Sequence, residues 1–369
     1  MALRIGINAL YLIPGRVGGT EIYLRGLLGG LARLDSVNHY LVFTNRETDA
    51  GLVPRQPNFE RRPQPVRAVS RPWRIVWEQT GLPVEAARLG LDVMLNPGFT
   101  APLLCGCPQA TVFHDLQHKR HPEYFRWFDL PFWRALLFAS AHVSRAIIAV
   151  SEATRADVLR YYRVPEERVS TVPQGADEEF FHLGACRRPE KFILTVSTLH
   201  PHKNLDGLLR AFAGFRRARP EYRLVVAGMH GFFSGPLHEL REKLGLGGAV
   251  DFPGWIPRAD LLDLFARASA FVYPSFFEGF GIPVVEALAA GVPTACSAIE
   301  PMAGIAADAA LLFDPHDPAA IRDALLRLTG DDALRAQLAA RGPARARSFS
   351  WDRTAAGTLD VLTRAAIMM

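Results

Sequence analysis

The sequence predicts an α/β fold of two domains that each contain a parallel β-sheet, and three observations support this prediction. The chain has 369 residues, more than one hydrophobic core usually organises. Hydrophobic residues make up 49% and charged residues 21%, which is typical of globular proteins. Short apolar runs that end in Gly, Pro, Asn or His are followed repeatedly by segments of helical periodicity, the pattern of βαβ units.

Two series of such runs define the predicted domains. The first series has strands at 4–9, 40–43, 93–95, 109–113 and 146–150, with helices at 20–34, 125–140 and 152–161. The second has strands at 192–196, 223–227, 250–252, 270–273, 294–296 and 310–313. The apolar-poor segment 181–189 is the predicted linker, so we place the domains at 1–183 and 190–350. A final helix at about 351–369 has no strand after it and is predicted to return to the first domain.

Composition narrows the class of protein. Lys and Arg exceed Asp and Glu by 42 to 37, an excess too small to indicate a nucleic-acid partner, and no nucleic-acid recognition module is visible. The start of the chain resembles a β-strand rather than a secretory signal, and no apolar window is long enough to span a membrane. We therefore expect a cytoplasmic protein. The cysteines have no zinc-site spacing and are predicted to be reduced structural thiols: Cys105, Cys107, Cys186 and Cys296.

A glycine-rich segment, residues 15–21 (GRVGGTE), lies between the first predicted strand and the first predicted helix. Gly18 and Gly19 let backbone amides approach an anion at a helix N-terminus, where the helix dipole favours negative charge. The segment predicts either a phosphate site or an ordinary strand-to-helix turn. It lacks the G-x-G-x-x-G spacing of dinucleotide-binding proteins, so the sequence does not favour an enzyme that transfers hydride from a dinucleotide.

Polar residues also follow one strand in each series. His114 and Asp115 come after the fourth predicted strand, at the edge where parallel sheets bind ligands. His114 is suited to bond a sugar hydroxyl or an oxyanion, with Asp115 orienting its ring. The alternative is a capping aspartate beside a histidine that is bonded within the core. Lys203 follows the opening strand of the second series and is placed either to neutralise a diphosphate or to be solvated.

The strongest signal is the segment 275–287, SFFEGFGIPVVEA. A loop carries Glu278, a Gly-Phe-Gly turn follows, and a helix begins with Glu286 about one turn inside it. Two carboxylates on a loop and a helix can grip two sets of hydroxyls of one elongated ligand. A glycosidase would need both groups to flank one bond, and the glycine-rich context favours a nucleotide sugar instead. A purely structural function for the two acids is the remaining alternative.

The chain resembles the retaining, nucleotide-sugar-dependent enzymes of glycosyltransferase family 4, whose GT-B fold has two facing Rossmann-like domains. The resemblance spans nearly the whole chain. Its motifs occur in family order: Gly18-Gly19-Thr20-Glu21, His114-Asp115, Ser151-Glu152-Ala153-Thr154, Val172-Pro173-Gln174-Gly175-Ala176-Asp177, Lys203-Asn204, Gly254-Trp255-Ile256 and the Glu278/Glu286 pair.

The resemblance implies a function for each motif. Glu278 would contact hydroxyls of the transferred sugar, Glu286 would hold the ribose and Lys203 would neutralise the diphosphate. His114 would bond the donor sugar, which makes His114, Asp115 and Glu278 the predicted catalytic residues. The other predicted donor contacts are Gly18, Gly19, Thr198, His202, Gly254, Trp255, Ile256, Phe280, Gly281 and Ile282. No Asp-x-Asp pair occurs, so we expect no metal and no cofactor besides the nucleotide-sugar substrate.

Some positions depart from the family pattern. Thr198 and His202 stand where many relatives carry an arginine, so the second basic group of the diphosphate site depends on His202. Gln174 replaces the usual Asn before Gly175, and His200 stands where the nearest subgroup often has Glu.

The loop Lys203-Asn204-Leu205 and the segment 114–118 resemble the subgroup of bacterial O-antigen and exopolysaccharide mannosyltransferases. The resemblance therefore predicts mannose from GDP-mannose as the transferred sugar. A UDP-hexose or a dTDP-deoxyhexose is the alternative donor, and a non-catalytic nucleotide-sugar-binding protein is the alternative function.

The acceptor is predicted to be a saccharide or a lipid-linked saccharide bound by the first domain. The segment 55–74, interpreted as a basic loop, and the aromatic segment 124–134 are both suited to a lipid diphosphate or an anionic membrane surface. The residues proposed for this contact are Arg61, Arg62, Arg67, Arg71, Arg74, Trp127 and Trp133. A solvated loop and ordinary core packing are the respective alternatives. A peripheral location on the inner face of the plasma membrane follows from the first interpretation.

Overall fold

The computed structural model describes residues 2–125, 127–229, 231 and 233–367, and the chain divides into two compact units. The first unit contains residues 1–175 and 351–369, and the second contains residues 176–350. Each is a parallel β-sheet with helices, so the predicted α/β class is confirmed.

The sheet of the first unit has seven parallel strands in the order β3-β2-β1-β4-β5-β6-β7. These strands are β1 (Arg4–Ala9), β2 (His39–Thr44), β3 (Phe59–Pro63), β4 (Val93–Asn96), β5 (Gln109–Phe113), β6 (Ala146–Ala149) and β7 (Val169–Thr171). The helices before the second unit are α1 (Gly19–Leu34), α2 (Arg71–Arg88), α3 (Gln117–Arg120), α4 (Leu130–Val143) and α5 (Glu152–Tyr162).

The sheet of the second unit has six parallel strands in the order β10-β9-β8-β11-β12-β13. They are β8 (Glu190–Val196), β9 (Arg223–Ala227), β10 (Val250–Gly254), β11 (Ala268–Tyr273), β12 (Thr294–Ser297) and β13 (Leu311–Phe313). The helices are α6 (Glu178–Leu183), α7 (Leu205–Ala218), α8 (Ser234–Lys243), α9 (Arg258–Arg267), α10 (Ile282–Ala289), α11 (Met302–Ala306), α12 (Pro318–Gly330) and α13 (Asp332–Ala346). Strand order reverses between β1 and β4 and between β8 and β11, and ligands bind α/β sheets at such points.

The last helix, α14 (Trp351–Ile367), packs on α1 within the first unit, as predicted. Gly26 and Gly30 of α1 allow this close approach, because a Cβ on Gly26 would lie 2.2 Å from the Trp351 ring. Arg33 donates to Asp352 at 2.8 Å, which joins the two helices at the surface. The last two residues of the predicted helix, 368 and 369, lie outside the described residues.

The structure places the division between the units at Gly175/Ala176, eight residues before the predicted end of the first domain. The Ala176 amide donates to the Phe349 carbonyl, and the Phe180 ring is fully buried with its edge toward Phe265. The segment 176–183 is thus held by the second unit, although its composition suggested the end of the first.

Two predicted elements differ in the first unit. The predicted helix at 125–140 begins instead at Leu130, where Pro131 is favoured in the first helical turn. The interpretation of 55–74 as a basic loop is wrong, because this segment contains β3, paired in parallel with β2, and the start of α2. Within the described residues, no helix is both long and apolar enough to cross a bilayer.

Candidate active site

In the first unit, candidate residues gather at the carboxyl ends of the neighbouring strands β1, β4 and β5. His114 follows β5 directly and is 8% exposed. Its ring lies edge-on to Tyr23 of α1, at 4.8 Å between centroids, and to Phe99 of the β4–β5 loop, at 5.1 Å. Phe99 has a φ of 71°, a left-handed conformation that a bulky residue adopts only when its surroundings impose it.

Both ring nitrogens of His114 have hydrogen-bond partners. Nε2 lies 2.8 Å from the Pro97 carbonyl, and Nδ1 lies 3.0 Å from the side-chain amide of Gln174. Since a carbonyl only accepts, Nε2 carries the proton and donates, while Nδ1 accepts from Gln174. Burial lowers the pKa of His114 to about 4, so the ring is neutral at physiological pH.

Asp115 does not supply the hydrogen bonds that orient this ring, contrary to the prediction. Its Oδ1 accepts from the Gln117 amide at 2.9 Å, at the first residue of α3. Orientation comes from Pro97 and Gln174. The contact of Gln174 with His114, across 60 residues of sequence, was not predicted.

The glycine-rich segment forms the connection from β1 to α1, as predicted. Gly18 precedes α1 with a φ of 59°, and Gly19 is the first residue of the helix. Glu21 shapes this loop, because its carboxylate accepts from the Gly15 amide at 2.7 Å. Amides at a helix start lack intrahelical acceptors, so this turn keeps the chemistry of an anion site.

In the second unit, three motifs follow strands β10, β8 and β11, at the carboxyl edge of the sheet. Strands β8 and β11 are adjacent, and β9 lies between β8 and β10. Lys203 lies in the β8–α7 connection, where its Nζ is 2.6 Å from Glu278 Oε1 and 3.1 Å from the Tyr273 hydroxyl. The Lys203 and Glu278 side chains are only 13% and 11% exposed. Burial lowers the pKa of Lys203, but the charge of Glu278 and the hydrogen bonds to Glu278 and Tyr273 together more than offset it. The pKa of Lys203 is therefore raised, and the lysine stays charged. The predicted sugar and diphosphate residues thus form one ion pair.

Asn204, which follows Lys203 in the motif, fixes the conformation of the β8–α7 connection. It is buried with a φ of 52°, and its side-chain amide donates to the carbonyls of Pro274 and Pro315 at 3.1 and 2.7 Å. This ties the lysine loop to the end of β11. Lys203 and Glu278 are therefore positioned by a shared scaffold.

Glu286 is buried inside the first turns of α10, which begins after Gly281 at a φ of 112°. Burial raises its pKa to about 8, an effect that Arg258 opposes and Asp177 adds to. Arg258, at the start of α9, lies 3.8 Å from the Glu286 carboxylate and also pairs with Asp177. It donates to Glu179 at 3.0 Å as well. This acidic cluster around one arginine was not predicted, because its members are far apart in sequence.

The other predicted donor residues also lie at this edge. Gly254, with a φ of 75°, ends β10 and is followed by the exposed Trp255 and the partly exposed Ile256. Thr198 and His202 lie in the same connection as Lys203, and both are partly exposed. The backbone of Phe280, Gly281 and Ile282 leads into α10. The structure brings these groups to the sheet edge that also carries Lys203, Glu278 and Glu286.

The arginines proposed for an acceptor or membrane are largely engaged within the first unit. Arg61 donates to Thr44 Oγ1 and to the Thr48 carbonyl, and Arg62 pairs with Glu60 at 3.0 Å.

Arg74 is buried 3.8 Å from Glu78. Arg67 and Arg71 are exposed, and the Arg71 guanidinium lies 3.9 Å from the centre of the Trp133 ring. Trp133 is partly buried against a core cluster, whereas Trp127 is 83% exposed. Arg126, within the predicted aromatic segment, lies outside the described residues.

A metal site is not evident in the part of the chain that the structure describes, where no three His, Cys, Asp or Glu side chains are grouped to hold an ion. Charge at the candidate donor site is concentrated on Lys203, Arg258 and their carboxylate partners.

Comparison with known proteins agrees with this geometry. The family described as "Glycosyltransferase Family 4" matches residues 17–180, and "Glycosyl transferases group 1" matches residues 178–345. The O-antigen chain mannosyltransferase B of Escherichia coli is 31% identical over 68% of each chain. A mycobacterial relative, the MMP alpha-(1->4)-mannosyltransferase of Mycolicibacterium hassiacum, is 29% identical over 94% of this chain and 95% of that protein. The sucrose-phosphate synthase structure from Thermosynechococcus elongatus superposes with a TM-score of 0.79 at 19% identity, covering 98% of both chains.

The two Rossmann-like units have the GT-B fold, and the family matches define the chain as a glycosyltransferase of that class. The chain belongs to glycosyltransferase family 4.

Proposed function

We propose that the enzyme is a retaining mannosyltransferase that uses GDP-mannose and extends a saccharide or lipid-linked saccharide in cell-surface polysaccharide synthesis. The observation that carries the proposal is the carboxyl edge of the second sheet, which carries both the Lys203–Glu278 pair and the buried Glu286. Lys203 is suited to the diphosphate, Glu278 to sugar hydroxyls and Glu286 to the ribose diol. The naming of the Escherichia coli and mycobacterial relatives as mannosyltransferases supports mannose.

The proposed reaction needs no carboxylate nucleophile. The acceptor hydroxyl attacks the anomeric carbon on the face from which the diphosphate departs, and a departing phosphate oxygen takes its proton. The glycosidic C–O bond forms as the sugar–phosphate bond breaks, so the anomeric configuration is kept. The protein contributes positioning and electrostatic stabilisation through Lys203, backbone amides and the neutral His114. No metal takes part in this proposal, because the lysine and the amides meet the phosphate charge.

A panel of nucleotide sugars, assayed for release of free nucleotide without acceptor, tests the donor. We expect GDP-mannose to be turned over fastest, with activity unchanged in EDTA. Faster turnover of a UDP- or dTDP-sugar would change the donor, and binding without turnover of any donor would favour a sensing protein. An inverted anomeric centre in the product NMR spectrum would exclude the retaining mechanism.

Nucleotide affinity is expected to rise as the pH rises through about 8, the pKa to which burial raises Glu286. An ionised carboxylate accepts hydrogen bonds from both ribose hydroxyls, so binding selects the deprotonated form and releases a proton. Calorimetry with GDP in buffers of different ionisation enthalpy measures this release. Replacing Glu286 with Gln should abolish the pH dependence and weaken binding by about 1–3 kcal/mol.

The raised pKa of Glu286 has the opposite effect on the stability of the fold, which decreases with pH while nucleotide affinity increases. Since the folded state raises the Glu286 pKa from 4.5 to about 8, its contribution to the free energy of unfolding falls as the pH rises across that interval. Nucleotide affinity that falls across the same interval, or that keeps its pH dependence in Glu286→Gln, would contradict the ribose assignment.

We propose an anionic membrane surface as a second partner, contacted by the exposed aromatic face of the first unit. Trp73 and Val76 of α2 are exposed, as are Trp127, Phe128 and Phe132 near the start of α4. Arg71 connects the two groups through its contact with Trp133, and aromatic rings with arginines favour the lipid interface. The proposed membrane contact therefore consists of the aromatic residues with Arg67 and Arg71, since the other predicted arginines have partners within the first unit.

Flotation with anionic liposomes at low salt should recover the wild-type protein, and the double variant Trp73→Ser/Trp127→Ser should lose most of that binding. Val37→Ser is the matched control. Val37 is 63% exposed but lies just before β2, at the amino end of the strands, whereas Trp73 follows the carboxyl end of β3. Indifference of the wild type to anionic lipid, or equal loss in the control, would leave a soluble acceptor as the better interpretation.

A further inference from the structure

Cys105 and Cys107 form a close thiol pair in the loop between β4 and β5 of the first unit. Their sulfur atoms lie 3.5 Å apart, and both are free thiols packed, partly exposed, against an apolar core cluster. Only Gly106 separates them, and a Cβ at Gly106 would meet nothing within 4 Å. We propose that this pair is a reversible modification site that closes to an intramolecular disulfide by exchange with a low-molecular-weight disulfide, with Cys105 as the attacking thiolate.

The geometry requires little movement. The sulfur atoms must approach from 3.5 Å to a bond length of about 2.05 Å. Gly106 absorbs the change because glycine accepts a wide range of backbone angles and its surroundings are open. Closing so short a loop removes little chain entropy, so the disulfide gives the fold little stability and is readily reduced.

The two thiols are chemically unequal. The Cys105 sulfur accepts hydrogen bonds from the Cys107 thiol and from the amides of Cys107 and Gly106, which lowers the pKa of Cys105 below the usual range of a thiol. The pKa of Cys107 is raised by that neighbouring sulfur, by burial and by Asp92. The thiolate therefore forms more readily on Cys105 than on Cys107, which makes Cys105 the more reactive position.

The exchange balances with oxidised glutathione as the oxidant. The Cys105 thiolate attacks one sulfur of glutathione disulfide, forming a mixed disulfide and releasing one glutathione thiolate, which takes the Cys107 proton. Cys107 then attacks the Cys105 sulfur and releases the second glutathione as a thiolate, which takes from solvent the proton that Cys105 lost on ionising. The protein dithiol loses two electrons, and glutathione disulfide gains them as it becomes two thiols.

The pair is separated from the candidate transfer site by anchored backbone. The Ala101 amide donates to Ser140 Oγ at 3.0 Å. Gln79 donates to the Ala101 carbonyl and accepts from the Leu103 amide. These bonds hold the loop between the thiols and Pro97, the partner of His114. The disulfide should therefore form without changing donor turnover, which makes this proposal independent of the donor assignment.

The test is peptide mass mapping of the folded full-length protein after incubation with oxidised glutathione. We expect the peptide with Cys105 and Cys107 to lose two hydrogens and to carry no adduct, reversibly with dithiothreitol. Cys186 is the internal control, because it is exposed and alone and should carry a glutathione adduct. Stable adducts on the pair, or no reaction there while Cys186 reacts, would overturn the proposal.

Single variants test the order of attack. Cys107→Ser should retain a stable glutathione adduct on Cys105, whereas Cys105→Ser should react at Cys107 at least about tenfold more slowly, because less thiolate is present. Equal rates would overturn the assignment of Cys105 as the attacking group. Circular dichroism spectra that match the wild type show that both variants are folded.

Discussion

Replacing Lys203 with alanine is expected to lower kcat/KM for nucleotide-sugar turnover by about a hundredfold, since two charge-assisted contacts change at once. The variant loses the positive charge proposed for the diphosphate. It also leaves the Glu278 carboxylate, 2.6 Å from Lys203 Nζ in the native pair, without its cation in a largely buried site. That unpaired negative charge then repels the incoming phosphates. Steady-state kinetics on the donor preferred in the panel measure the loss.

The double variant Lys203→Ala/Glu278→Ala separates the two contributions. Because removing Glu278 also removes the uncompensated charge, the double variant should lose less than the sum of the single losses, by at least about 1 kcal/mol. Glu278→Ala alone should slow turnover more than it weakens binding of the bare nucleoside diphosphate. Lys191→Ala is the matched control, because Lys191 forms an exposed pair with Glu221 at 3.9 Å in the same unit. Strictly additive losses would show that the ion pair is incidental to donor binding.

Buried strands could be predicted from the sequence, whereas β3, at the edge of its sheet, could not. Strands such as β6 (AIIA) and β9 (RLVVA) are buried at every position but the first, so their sequences contain short apolar runs. The strand β3 has the sequence FERRP at the edge of its sheet, with polar side chains and a proline, and no such run exists. The helix α2 escaped prediction for a related reason. Its buried face includes Arg74 and Glu78, which face each other across 3.8 Å, so hydrophobic periodicity does not mark it.

The candidate site shows the same division between local and non-local information. Lys203, Glu278 and Glu286 stand at recognisable positions after strands, where parallel-sheet geometry places ligand-binding groups. Their partners come from elsewhere in the chain. Arg258 approaches Glu286 from the start of α9, and nothing in the local sequence of either residue indicates the other. Such contacts arise from tertiary packing, which the local sequence does not show. The same reason explains His114: adjacency in sequence suggested Asp115 as its partner, but the structure places Gln174 there.

Replacing His114 with alanine is expected to lower kcat at least about tenfold while nucleoside diphosphate affinity changes less than about threefold, because the proposed mechanism gives the ring one hydrogen bond to the reacting sugar and none to the nucleotide. Pro97 holds the Nε2 proton, so Nδ1 is the atom that can accept from a sugar hydroxyl once Gln174 yields it. The ring is neutral, because burial lowers its pKa to about 4. Turnover should therefore show no His114 titration above about pH 5, where the protonated fraction is already small.

The variant Gln174→Ala distinguishes a histidine that contacts the sugar from one that only supports the fold. Removing the amide frees Nδ1 but leaves the Pro97 bond, so the tautomer persists and kcat should change far less than in His114→Ala. His114→Asn keeps a side-chain acceptor and should recover part of the activity lost in His114→Ala. Single-turnover rates for the three variants, with calorimetry of nucleotide binding, make the comparison. If His114→Ala weakened nucleotide binding as much as turnover, its loss would reflect a disturbed fold of the loop around Phe99 rather than a missing contact to the sugar.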